Sequence, residues 1–117
     1  ALTIEEAVEI IDQKLHGGVF IGYNPTFDIG FIKKALKDYN YDVPRIRCID
    51  CMALVHEHLI GIKSLSLNSA RRYLGIDTKN AHTALQDTID TRVIYNTLHR
   101  LTWWKRLYLF AKYKLRR

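Results

Sequence analysis

Val19-Phe20-Ile21-Gly22 is a short apolar run with Gly17-Gly18 before it and Asn24-Pro25 after it. A continuous run of this kind, rather than an alternating one, is the pattern of a strand buried on both faces. Such strands belong to parallel sheets covered by helices, so this segment commits the chain to an α/β architecture. The flanks agree. Upstream, Thr3 suits an N-cap with Glu6 completing a capping box, and Ile4, Val8, Ile11 and Leu15 are spaced to line one helix face. Downstream, Asn24 suits an N-cap and Pro25 the first helical position, where a missing N–H costs nothing. The helix that follows runs to about Tyr39, with Phe27, Phe31, Ile32, Ala35 and Leu36 on its buried face.

Beyond that helix, residues 40–44 read as a turn, 45–52 as a second strand and 53–59 as a helix. Ser64 can cap a helix over 65–74, and Gly75 suits the C′ position that stops it. Residues 77–80 form a polar loop. From about Ala81 the pattern stays helical nearly to the end of the chain, with Leu85, Ile89, Val93 or Ile94, Leu98 and Leu101 on one face.

At 117 residues, 48% hydrophobic and 26% charged, the chain is ordinary for one domain. It holds no run of 18 apolar residues, and the first 15 carry four acids, which argues against a spanning helix and a signal peptide. A cytoplasmic location without membrane contact is expected. Cys48 and Cys51 do not make a disulfide framework for this length. With His56 and His58 they suggest zinc, but positions three apart on a strand face opposite ways, which disfavours both binding one ion.

The net charge of +6 is unevenly spread. Eight Arg or Lys and no acid follow Asp90, leaving ten basic against twelve acidic residues before it, or −2. A concentrated positive field favours nucleic acid or another anionic surface, although a solvated helix face has the same composition. Trp103, Trp104, Tyr108, Phe110 and Tyr113 lie among six of these basic residues. That mixture suits a platform for single strands, on which bases stack while cations follow phosphates. It equally suits a terminal helix that packs its aromatics on the domain or a partner, and less well a membrane-surface helix.

Two motifs carry the chemistry. Asn24-Pro25-Thr26-Phe27-Asp28 puts a carboxylate just beyond the carboxyl end of the first strand, where open α/β sheets place their sites. His82-Thr83-Ala84-Leu85-Gln86-Asp87 follows, with His82 54 residues after Asp28. On one straight helix, positions five apart point roughly 140° apart, so His82 belongs in the loop or first turn and Asp87 on the helix proper. Taken alone, Asp28 is also what the helix dipole favours in a first turn. Asp90, one turn after Asp87, is a further candidate ligand, against the plainer reading of an exposed helix residue.

The two motifs together resemble those of the DEDDh family of 3′-to-5′ exonucleases, of DNA polymerase III epsilon-subunit type. The segments 48–54 and 64–76 resemble the family's strand-to-helix segment and the helix leading to its loop, so the likeness covers most of residues 3–100. It implies a ribonuclease H-like fold, a short, mostly parallel sheet covered by helices. It also implies hydrolysis of phosphodiester bonds at 3′ ends of DNA or RNA with two Mg²⁺ or Mn²⁺ ions. Asp28 and Asp87 would then be metal ligands and His82 the base that takes the proton from the attacking water. Asn24 would orient the backbone near the terminal nucleotide, and Phe27 would pack beneath the site or lie beside a base.

The family opens with a strand carrying Asp-x-Glu, and no Asp-x-Glu occurs here. By resemblance this is a partial exonuclease fold over residues 1–101 without its N-terminal strands, followed by a basic aromatic helix over 102–117. Two of the four metal-binding acids are then missing. The expected function is that of a 3′-to-5′ exonuclease incomplete as this chain alone, and the alternatives are a non-catalytic nucleic-acid-binding or polymerase-associated module and one half of a split nuclease. Expected partners are a polymerase subunit, a chain carrying the missing strands, or a second copy.

Overall fold

The computed structural model describes residues 1–79 and 83–116. They form α1 (Ile4–Leu15), β1 (Val19–Gly22), α2 (Thr26–Asp38), β2 (Arg47–Asp50), α3 (Cys51–His58), α4 (Leu67–Leu74), α5 (Ala84–Leu98) and α6 (Trp103–Arg116). β1 and β2 pair as a two-stranded parallel sheet with α2 as the crossover, the expected α/β class. The chain divides into two compact units, Ala1–Phe20 with Asn24–Ile49 and Ile21–Tyr23 with Asp50–Arg117.

In the first unit the Thr3 hydroxyl accepts a hydrogen bond from the Glu6 N–H at 3.1 Å, and α1 starts where the capping box places it. Gly17, at φ +77°, ends it by taking a left-handed conformation that costs glycine little. α1 packs on α2, with Val8 and Leu36 buried. Ile4 is exposed, which narrows the expected face of α1. Phe27 and Phe31 are 77% and 65% exposed instead of buried. Helix stepping explains this: with Leu36 facing inward, positions nine and five residues earlier point roughly 180° and 140° away. β1 also departs from expectation, since Val19 and Ile21 are exposed. A two-stranded sheet has no central strand, and burial of both faces is a property of central strands.

In the second unit α3 packs on α5, and α4 packs on both α5 and α6. Their core holds Cys51, Val55, Leu59, Ala70, Tyr73, Ile94 and Leu98. Ser66 rather than Ser64 caps α4, accepting from the Ser69 N–H at 3.1 Å, while the Ser64 hydroxyl accepts from Ser66 N–H. Gly75 stops α4 in the left-handed conformation at φ +74°. The long C-terminal helix is two helices. Thr102 begins the second, its side chain accepting from the Lys105 N–H at 3.3 Å and its carbonyl from the Arg106 N–H at 3.1 Å.

Two core tyrosines give the unit an alkaline limit. The Tyr23 hydroxyl donates to the Leu65 carbonyl, and that of Tyr73 to the Ile60 carbonyl at 2.7 Å. Burial, helped by the charge of Asp50, pushes Tyr23 up to about 12, and burial with Tyr113 beside it does the same to Tyr73. Between pH 10 and about 12 the unfolded chain releases these protons while the native one keeps them. The stabilisation is therefore complete below pH 10 and lost as pH rises through that window. Urea midpoints should fall steeply there, and less so in Tyr73→Phe. Tyrosinate absorbance rising fully at pH 10 from a still-folded chain would contradict this.

Candidate functional site

Asp87 stands in the first turn of α5, which Thr83 starts by accepting from the Gln86 N–H at 3.2 Å. The placement of Asp87 on the helix proper agrees with helix periodicity. His82 lies outside the described residues. On the facing helix α4, Arg71 is 1% exposed, and its guanidinium makes a three-way contact. Nε donates to Asp90 Oδ2 at 2.6 Å, Nη2 to Asp87 Oδ1 at 2.6 Å and Nη1 to Asn68 Oδ1 at 2.8 Å. Asp90 Oδ1 in turn accepts from the Gln86 side-chain amide at 2.9 Å.

A buried cation is tolerated only when charge and hydrogen bonds replace its water shell, and the planar fork of arginine suits two carboxylates at once. Burial by itself pushes the Arg71 guanidinium down, but the hydrogen bonds and charges of Asp87 and Asp90 outweigh it and hold it above its ordinary value. Asp90, weighed from sequence as an exposed helix residue, is 3% exposed. The pairing also turns the buried face of α5. Asp90, Thr91, Ile94 and Leu98 face inward, whereas Leu85, Ile89 and Val93 of the expected face are exposed. The sequence signal for Arg71 was its place among Leu67, Ala70 and Leu74 on the apolar seam of α4.

The first motif sits on α2. Asn24 takes a left-handed conformation at φ +49°, which asparagine tolerates better than most residues, and Pro25 becomes the N-cap without a side-chain cap bond. The start of the helix thus falls one residue later than expected. Asp28 is exposed in the first turn, and the neighbouring Phe27 ring presents most of its surface. Asp28 belongs to the first unit and Asp87 to the second. Among the described residues no group of three His, Cys, Asp or Glu side chains gathers to hold a metal. Cys48 is exposed on β2, whereas Cys51, expected on the same strand, begins α3 and is buried against the Thr91 carbonyl.

Residues 1–95 match the RNase T family model, described as Exonuclease. DNA polymerase III PolC-type of Clostridium perfringens (strain 13 / Type A) is 30% identical over 92 residues, covering 79% of this chain and 6% of that protein. The 3′-5′ exonuclease DinG of Staphylococcus aureus (strain MRSA252) is 33% identical over 86 residues, covering 74% of this chain and 10% of its own length. The chain therefore spans a tenth or less of these relatives. No solved structure matches it.

Proposed function

The chain belongs to the RNase T exonuclease family, and from that premise we propose that it supplies part of a 3′-to-5′ exonuclease centre acting on DNA. The observation that carries this reading is the pair of motifs, whose acids Asp28 and Asp87 both stand in the first turn of a helix. The name of the PolC-type relative favours DNA over RNA and a polymerase-containing assembly as partner. No helix among the described residues is long and apolar enough to cross a membrane, and a cytoplasmic setting fits.

Asp28 and Asp87 offer the oxygen donors that Mg²⁺ or Mn²⁺ prefers. By resemblance each would supply one ligand of a two-metal site, and among the described residues no group of three His, Cys, Asp or Glu gathers to complete it. The remaining carboxylates would come from an Asp-x-Glu strand outside these 117 residues. When bound, the ions would lower the pKa of the attacking water and stabilise the leaving oxygen. Of the residues here, His82 would accept the proton of that water, the role the resemblance assigns it. Asn24 would hold the backbone beside the terminal nucleotide, and the exposed ring of Phe27 suits a place beside a base better than one beneath the site.

A fusion that sets a family member's Asp-x-Glu strands ahead of Ala1 tests this. Mg²⁺-dependent release from a 3′-labelled single strand should appear in the fusion and be near background in the 117-residue chain. Equal release by the two would overturn the claim of missing ligands, and a folded but inactive fusion would overturn the exonuclease reading.

A further inference from the structure

Helix α6 lies beyond the part of the chain that matches the exonuclease family. Its inner face is fixed by three contacts with the second unit. The Tyr113 ring stacks on Tyr73 at 4.2 Å, the Phe110 ring lies so close to Gly61 that a Cβ there would meet it at 2.9 Å, and Arg116 donates to the Tyr73 carbonyl. Leu109, Phe110 and Tyr113 therefore point at the core. With 100° per residue, Trp104, Tyr108 and Leu115 form the opposite ridge. Trp104 is 77% exposed, Tyr108 57% and Leu115 85%, and Trp103 beside them is 63% exposed.

Exposed aromatic rings on a helix that is otherwise firmly packed need an explanation in what meets them. Charge indicates the partner. Lys105 and Lys112 run along one side of the ridge and Lys114 along the other, and α6 contains no acid. Among the described residues no carboxylate pairs with these lysines. Lys112 instead lies over the Tyr108 ring at 5.0 Å, a contact that stiffens the ring and leaves the positive charge outward. At the end of the helix, Arg116 lines a cleft of about 660 Å³ with Lys63, Arg72 and Asp77, so three cations against one acid keep that end positive.

We propose that the outer face of α6 is a binding platform for single-stranded DNA, with bases stacking on Trp104 and Tyr108, Trp103 buttressing Trp104 edge-on, and phosphates following Lys105, Lys112 and Lys114. Stacking on a π-face is indifferent to base identity, so the platform holds a strand without reading its sequence. It needs no metal and none of the residues assigned to the exonuclease centre. Its role is to keep hold of the strand whose end is processed elsewhere.

Trp104 lies on this face, and Trp103 meets it edge-on at 5.9 Å with its own ring exposed, so the fluorescence of the chain's two tryptophans reports on the platform. The 117-residue chain is titrated in EDTA with a dT oligomer of roughly 16 nucleotides, the upper end of common site sizes. The expected result is quenching that saturates and weakens steeply as salt rises. Trp104→Ala should weaken binding about tenfold, and Lys105→Gln with Lys112→Gln should flatten the salt dependence. Absence of quenching, binding untouched by these exposed substitutions, or a response only to phosphatidylserine vesicles would overturn the proposal. Because EDTA removes divalent ions, its failure is separable from failure of the exonuclease reading.

Discussion

Replacing Arg71 by methionine should lower the unfolding free energy by about 3–5 kcal/mol, the range for removing one partner of a buried charge pair. Size is conserved and the apolar stem survives, so little of that loss is cavity. The cost falls on Asp90, whose side chain is 4% exposed and keeps the Gln86 amide as its donor once the guanidinium is gone. Asp87 suffers less, since its side chain is 41% exposed and water can replace the lost hydrogen bond. The same reasoning gives a control. Arg71→Met with Asp90→Leu removes both charges and should recover most of the loss, because a buried ion pair contributes little net stability over an apolar pair of similar volume. Urea unfolding of the wild type, both single variants and the double variant measures the coupling directly. A single-variant loss below about 1 kcal/mol would show that α4 and α5 do not depend on the pair.

The elements legible in the sequence were those whose signals are local. The capping pair Thr3 and Glu6, the apolar run of β1 and the glycine at 75 each state a backbone requirement within a few residues, and each element lies within about two residues of expectation. What stayed illegible depended on neighbours. Phe27 and Phe31 are apolar, and nothing in their own segment says that the seam of α2 runs through Leu36 instead. Asp90 looked like an exposed helix acid because its partner lies 19 residues away on another helix. Of the expected stripe on α5, Ile94 and Leu98 are buried, whereas Leu85, Ile89 and Val93, though regularly spaced, centre about 160° from them and are exposed. The break before α6 came from Thr102, whose capping bonds outweigh an apolar pattern that continues past it. For the candidate site, the sequence placed Asp28 in a first turn and Asp87 on the helix proper, and the structure has both in first turns, but the sequence gave no hint that Asp87 is held by Arg71.

The proposed metal role of Asp87, set beside its observed pairing with Arg71, makes the second large effect separable into chemistry and structure. In the fusion that carries the Asp-x-Glu strands, His82→Ala should reduce nucleotide release by about 10²–10⁴-fold, the usual contribution of a positioned general base. An unchanged urea midpoint beside that loss would assign the effect to chemistry rather than to folding. Asp87→Ala should lose at least as much activity and also about 1–3 kcal/mol of stability, because the Arg71 Nη2 donor then loses a charged acceptor on a residue that is 1% exposed. Asp87→Asn separates the two roles. Its amide oxygen can still accept from Nη2, so most of the stability should return, whereas the loss of charge should leave metal-dependent release near the level of Asp87→Ala. Activity is read as rate against Mg²⁺ concentration and stability from urea midpoints on the same preparations. If Asp87→Asn keeps full activity, the carboxylate is only the partner of Arg71, and the metal ligand on α5 must be sought elsewhere.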